Sequence, residues 1–232
     1  MLSLSDNLFE VQKNIEAACR RAGRNPDSVT LIAVSKTKPV SDIEEIYKAG
    51  VREFGENKVQ EMTEKIQFLP NDINWHMIGH LQRNKVKYVV GNTVMIHSVD
   101  SLRLAREISD ESVKKNITSE ILIEVNVANE PSKFGVPAEE TLCLATQIGC
   151  MPNILVRGLM TSAPFVENAE ENRQYFKKLR DLSVDINSKN IDNVYMDCLS
   201  MGMTNDYVVA VEEGATHVRV GTAIFGNRNY NI

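Results

Sequence analysis

The chain has 232 residues, 43% of them hydrophobic and 25% charged, with a formal net charge of −5 and four cysteines. That length suits one α/β barrel of roughly 250 residues with little room for a second domain, and so ordinary a composition excludes disordered and collagen-like classes. The acidic balance argues against nucleic-acid binding, no apolar run approaches the roughly 20 residues of a membrane span, and MLSLSDNLFE lacks the features of a signal peptide, so a cytoplasmic protein is expected.

In chain order, an amphipathic helix is expected over 5–21, with Leu8, Val11, Ile15 and Ala18 at helical spacing and Gly23 behind it. Candidate strands follow near 29–35, 51–54, 73–78, 94–98, 120–127, 154–160, 194–199 and 217–220, each separated from the next by a helical stretch. Ser41 with Glu44 reads as a capping box, Gly50 as the stop of that helix, and Pro137 as an early residue of another. A charged helical stretch covers 167–189, and a shorter one over 204–213 ends at Gly214. No linker or low-complexity tract interrupts the alternation. It predicts a single domain over 1–232, a closed (β/α)8 TIM barrel rather than an open doubly wound sheet, with a leader helix in 1–26 and the barrel in 27–228.

The run Val29 to Val34 is β-branched and apolar enough for a strand covered on both faces, and Lys36 follows on the same face as Ile32 and Val34. A lysine there needs a reason, and covalent capture of an aldehyde is one. The bland alternative is a snorkelling strand-end lysine, which fits Lys38 and Lys58 better. Barrels carry their chemistry where strands end. After strand seven come Ser200, Met201 and Gly202, and after strand eight Gly221 and Thr222, small-residue turns suited to a phosphate. Together with Lys36 these turns suggest a pyridoxal phosphate (PLP) site with Lys36 as the Schiff-base residue.

Arg219 alternates with Val218 and Val220, so it points into the barrel near its mouth. It reads either as a donor to the cofactor's pyridine nitrogen or as the partner of an internal carboxylate such as Glu124 or Asp197. Asn57, in the GENK turn, reads as a cofactor contact or as part of a plain polar connection. His76 and His80 lack a carboxylate or cysteine to complete a metal set and read as loop histidines, so no metal is expected. The scattered cysteines read as buried reduced thiols.

The segments AVSKTKP, FGENKVQE, WHMIGHLQRNK, HSVDS, EVNVANEPSKFG, RGLMT, LSMGMTND and VRVGTAIFG resemble, in that order, the pyridoxal phosphate homeostasis proteins. That family is similar to the N-terminal barrel of alanine racemase, and the resemblance runs from about residue 29 to 226. It implies a fold-type-III PLP barrel with the cofactor on Lys36, phosphate ligands at Ser200, Gly202, Gly221 and Thr222, and the ring-nitrogen arginine at Arg219. Thr204 stands where the family often has serine, and His80 and Arg83 occupy variable places, none of them at an inferred cofactor contact.

Alanine racemase adds a C-terminal β domain that brings a second acid-base tyrosine, whereas this sequence stops at Ile232. The resemblance therefore implies a monomeric carrier or regulator of PLP without robust turnover, affecting amino-acid and keto-acid balance and serving PLP-dependent apo-enzymes as partners. A small PLP-dependent racemase or lyase, and a barrel isomerase that binds a phosphorylated metabolite without cofactor, are the alternatives.

Overall fold

Parallel strands require crossovers, and in this chain helices provide them, each returning an apolar stripe to the sheet. The computed structural model describes residues 3–226. In it α1 (Leu4–Arg21) leads to β1 (Thr30–Val34), α2 (Val40–Lys48), β2 (Glu53–Glu56), α3 (Val59–Ile66) and β3 (Asn74–Met77). Next come α4 (Val86–Val89), β4 (Met95–Val99), α5 (Leu102–Lys115), β5 (Ser119–Glu124) and α6 (Ala138–Gly149). Then follow β6 (Ile154–Met160), α7 (Arg173–Asn187), β7 (Val194–Met203), α8 (Tyr207–Glu212), β8 (His217–Val220) and α9 (Thr222–Phe225). The strands pair in chain order and in parallel, and β8 returns to β1 with Leu31 opposite Val218 and Ala33 opposite Val220, closing the barrel. Residues 1–2 and 227–232 of the expected spans lie outside the described residues.

Outward strand residues such as Phe54, Ile96, Ile123, Leu199 and Val218 pack with helix stripes that include Ile46, Met62, Ile108 and Phe176 in one apolar layer. A separate small cluster, Met95, Leu122, Met160 and Cys198, fills part of the barrel itself. The leader helix begins with a capping box in which Ser3 Oγ accepts from the Asp6 amide at 3.1 Å and Asp6 Oδ2 from the Ser3 amide at 3.0 Å. It packs on α2, α8 and α9, and the Asn7 side-chain amide donates to the Ile224 carbonyl at 3.0 Å, so α1 covers the seam where β8 meets β1. No helix among the described residues is long and apolar enough to cross a membrane.

Several local expectations change. α2 starts at Val40 with Pro39 at its N-cap and no side-chain cap, so Ser41 sits inside the helix and forms no capping box with Glu44. The stretch over 167–189 divides into a tight turn at Ala169–Asn172 followed by α7, and Thr204 lies in a turn ahead of α8. β7 continues to Met203, beyond the expected end at 199. Cys19 and Cys198 are buried, but Cys143 and Cys150 face solvent on and just after α6; all four are free thiols. His76 is no loop residue: it lies within β3 and points into the barrel.

The turn after β1 is held from below by a buried ammonium. Lys65 Nζ of α3 donates to the Ser35 carbonyl at 2.8 Å, to Glu56 Oε1 at 2.7 Å and to Glu61 Oε1 at 2.6 Å. Ser35 Oγ also donates to Glu56 Oε1 at 2.6 Å, and the amide of Thr37, whose φ is 63°, donates to Glu61. The main chain is thus tied on both sides of Lys36. Burial pushes the Glu56 carboxyl above the ordinary range, opposed chiefly by the charge of Lys65. Lys65→Met leaves that buried carboxylate unpaired, and breaking such a pair costs about 3–5 kcal/mol. Urea unfolding of the variant is expected to show a loss of that order, and a midpoint equal to that of the parent would remove the clamp from this account.

Candidate functional site

The C-terminal ends of the strands enclose a cavity of about 650 Å³. Lys36, Asn57, Arg219, Gly221 and Thr222 line it together, so five of the expected positions meet at one place. Lys36 lies in the clamped turn, two residues past the end of β1, and is half-buried. Asn57 follows β2, and its side-chain carbonyl oxygen is buried without a hydrogen-bond partner among the described residues. Gly79 makes room for the Asn57 main chain: a Cβ there would stand 2.5 Å from the backbone carbonyl oxygen of Asn57.

Arg219 lies on the inner face of β8 and is 4% exposed. Its guanidinium donates to Ser200 Oγ at 2.6 Å and to the Thr161 carbonyl at 2.8 Å, leaving its other three N–H groups without a partner among the described residues. Burial pulls its pKa down to about 10, opposed by the charges of Glu124 and Asp206, so it remains a cation at neutral pH. No direct ion pair forms with either carboxylate suggested by the sequence. Asp197 pairs with Arg157 on the outside of the barrel, and Glu124 acts on Arg219 only through its field. Burial raises the Glu124 carboxyl to about 7 against the pull of Arg219.

The three residues expected at the end of strand seven are not in the cavity wall. Because β7 runs on to Met203, Ser200 is an interior strand residue, wholly buried, with its hydroxyl between Arg219 and His97. Met201 points outward into the layer under the helices. Gly202, at φ 91°, permits close packing with α8 instead of with a ligand: a Cβ there would lie 2.5 Å from that of Ala210. The first polar side chain past the strand is Thr204, which lines the cavity and accepts from the Ala223 amide at 3.4 Å, joining the turns after β7 and β8. The sequence reading ended this strand at 199; because β7 reaches Met203, Thr204 and not Ser200 stands in the cavity wall.

Other contributors lacked a clear signal. Lys133 reaches the cavity from the loop after β5, fixed by the Ser162 carbonyl at 3.1 Å and Glu130 at 3.0 Å. Asp206 is buried and accepts from the Met203 amide at 2.6 Å and the Asn172 side chain at 2.8 Å, which shapes the rim. His80 stacks on Phe134 with centroids 4.0 Å apart and sits 3.4 Å from Asp100, outside the lining. No group of three or more potential metal-ligating side chains forms among the described residues.

The cavity therefore offers a lysine amine, an interior guanidinium, two threonine hydroxyls and an unpartnered buried amide oxygen. Cations at Lys36, Lys133 and Arg219 suit an anionic ligand, and the cavity brings an amine, a buried guanidinium and hydroxyl-bearing turns to one place.

Residues 7–229 match the family described as alanine racemase, N-terminal domain. The pyridoxal phosphate homeostasis protein of Aquifex aeolicus is 45% identical over 230 residues, covering 99% of this chain and 100% of that one. The structure of PipY from Synechococcus elongatus, solved with PLP bound, superposes with a TM-score of 0.83 at 34% identity and covers 97% of this chain and 100% of that one. An alanine racemase from Clostridium difficile shares the fold alone, with a TM-score of 0.75 at 14% identity over 97% of this chain and 58% of the enzyme. Matched from end to end at such identity, on a barrel of the alanine racemase type, the chain belongs to the pyridoxal phosphate homeostasis protein family.

Proposed function

We propose that the chain binds pyridoxal 5'-phosphate in the mouth cavity, with Lys36 as the Schiff-base residue, and that it holds the cofactor for PLP homeostasis as a monomeric carrier. The observation that carries this reading is the convergence of Lys36, Arg219 and Thr222 on one cavity from opposite sides of the β8–β1 seam. The names of its relatives and the PLP held by PipY support the same cofactor. When bound, the cofactor supplies an aldehyde, which an amine captures with loss of water. The clamped turn presents the Lys36 amine, Arg219 donates towards the pyridine nitrogen, and Thr204, Gly221 and Thr222 receive the phosphate. Asn57, with its idle side-chain oxygen, takes the remaining polar edge of the ring.

Arg219 also shapes the role. A guanidinium keeps its proton, so it leaves the pyridine nitrogen unprotonated and weakens the ring as an electron sink. That favours storage and transfer to PLP-dependent apo-enzymes, with consequences for amino-acid and keto-acid balance, over racemisation or elimination. Sustained turnover of an amino acid by the purified protein, lost in Lys36→Ala, would replace the carrier reading with an enzymatic one.

Two measurements test the site. Borohydride reduction of the yellow protein followed by peptide mapping is expected to leave the pyridoxyl group on Lys36; a label confined to Lys38 or Lys133 of the unaltered chain would reassign the Schiff base. Thr204→Val and Thr222→Val are each expected to weaken PLP binding by about 1–3 kcal/mol, the range for a charge-assisted hydrogen bond, while scarcely changing the affinity for pyridoxal. Equilibrium dialysis with both ligands checks this, and equal losses for the two would place the phosphate elsewhere.

A further inference from the structure

The barrel interior holds a line of polar side chains that the cavity reading leaves unused. Glu53 Oε2 lies 2.7 Å from His76 Nε2, His76 Nδ1 lies 2.9 Å from His97 Nε2, and His97 Nδ1 lies 2.9 Å from Ser200 Oγ, which accepts from Arg219. The line crosses the barrel from β2, β3 and β4 to β7 and β8. His97 and Ser200 are wholly buried and His76 is 3% exposed, so the middle of the line is shielded from bulk solvent. At its far end, Glu53 lines a cavity of about 560 Å³ beside α1 at the floor of the barrel.

The donor directions follow from the chemistry of the two ends. A guanidinium has only N–H donors, so Ser200 Oγ accepts from Arg219 and has one hydrogen left to give. His97 Nδ1 is the acceptor within reach; were it protonated, the serine hydrogen would be buried with no partner. Burial holds His97 well below its ordinary pKa, so it is neutral and its hydrogen sits on Nε2, directed at His76 Nδ1. His76 then donates from Nε2 to Glu53. Burial raises that carboxyl, but hydrogen bonds from His76 and Asn74 outweigh it and keep Glu53 below the ordinary range, an anion at the end of the line. Every hydrogen points the same way.

We propose that Ser200, His97, His76 and Glu53 are positioning residues for Arg219, a one-way hydrogen-bond chain that fixes its guanidinium and lets the barrel floor govern how Arg219 meets a ligand at the mouth. The ligand arm of this proposal rests on the PLP reading above; the direction of the chain does not. Long-range proton–nitrogen NMR of the full chain, with no PLP added, is expected to show His76 and His97 as Nε2–H tautomers. A hydrogen on His97 Nδ1 would overturn the proposal, whatever the protein binds.

The second arm measures PLP and pyridoxal binding and the absorption maximum of the bound cofactor in Ser200→Ala and Glu53→Gln. Ser200→Ala is expected to weaken both ligands by the same factor, about tenfold, because a guanidinium no longer held by Ser200 must be immobilised on binding. Glu53→Gln, remote from the mouth and equal in size, is expected to shift the absorption maximum in the same direction as Ser200→Ala. An effect of Ser200→Ala on PLP alone would make Ser200 a phosphate ligand and sink the positioning role. So would affinities and spectra unchanged in both variants. A parent protein that binds no PLP would refute the cofactor reading and leave the NMR arm to decide the chain.

Discussion

A permanent cation inside a closed barrel is the constraint around which this molecule is arranged. Moving a guanidinium out of water costs several kcal/mol unless its N–H groups find partners and an opposite charge lies near. Arg219 meets the second condition through the fields of Glu124 and Asp206, without a direct ion pair, and the first in part, through Ser200 and the Thr161 carbonyl. Ser200 can serve only because His97 takes its hydrogen, and His97 only because His76 and Glu53 continue the line. Placing one cation at the mouth therefore dictates the side chains of β2, β3, β4 and β7 as far as the floor. The apolar cluster from β4 to β7 occupies the other side of the interior, so polar and apolar fillings divide the barrel between them.

A second buried cation solves a different problem. Lys65 has no view of the cavity; its ammonium binds the backbone and side chains around the turn that bears Lys36. A loop after a barrel strand is ordinarily the mobile part of such a fold. Here a residue at positive φ and two glutamates are held in a single arrangement from beneath. A lysine that captures an aldehyde reversibly gains affinity when its backbone is already placed, since less freedom is lost on binding.

The division between what alternation can tell and what packing decides is visible in individual residues. Eight strands, their order, the leader helix and the convergence of Lys36, Asn57, Arg219, Gly221 and Thr222 were legible because strand and helix periodicities repeat from end to end and barrel strands all present their C-terminal ends to one face. Where a strand stops is a weaker signal. The apolar residues of β7 thin out near 199, yet the strand continues, because the residues after it pair with β8 and Gly202 fits against α8. That extension of the strand turned Ser200 from a ligand-facing position into an interior one and brought Thr204 to the cavity instead.

His76 shows the same limit from the other side. Beside Gly79 and His80 it looks like part of a polar turn, and nothing in its neighbours along the chain names His97, 21 residues away, or Ser200 a further 103 beyond that. The chain's own sequence determined the elements and the order in which they close, because both depend on local periodicity and short connections. Only the tertiary structure decided which polar side chains share the barrel interior, because closing the sheet brings β4 face to face with β7 and β8 across a space no local pattern records.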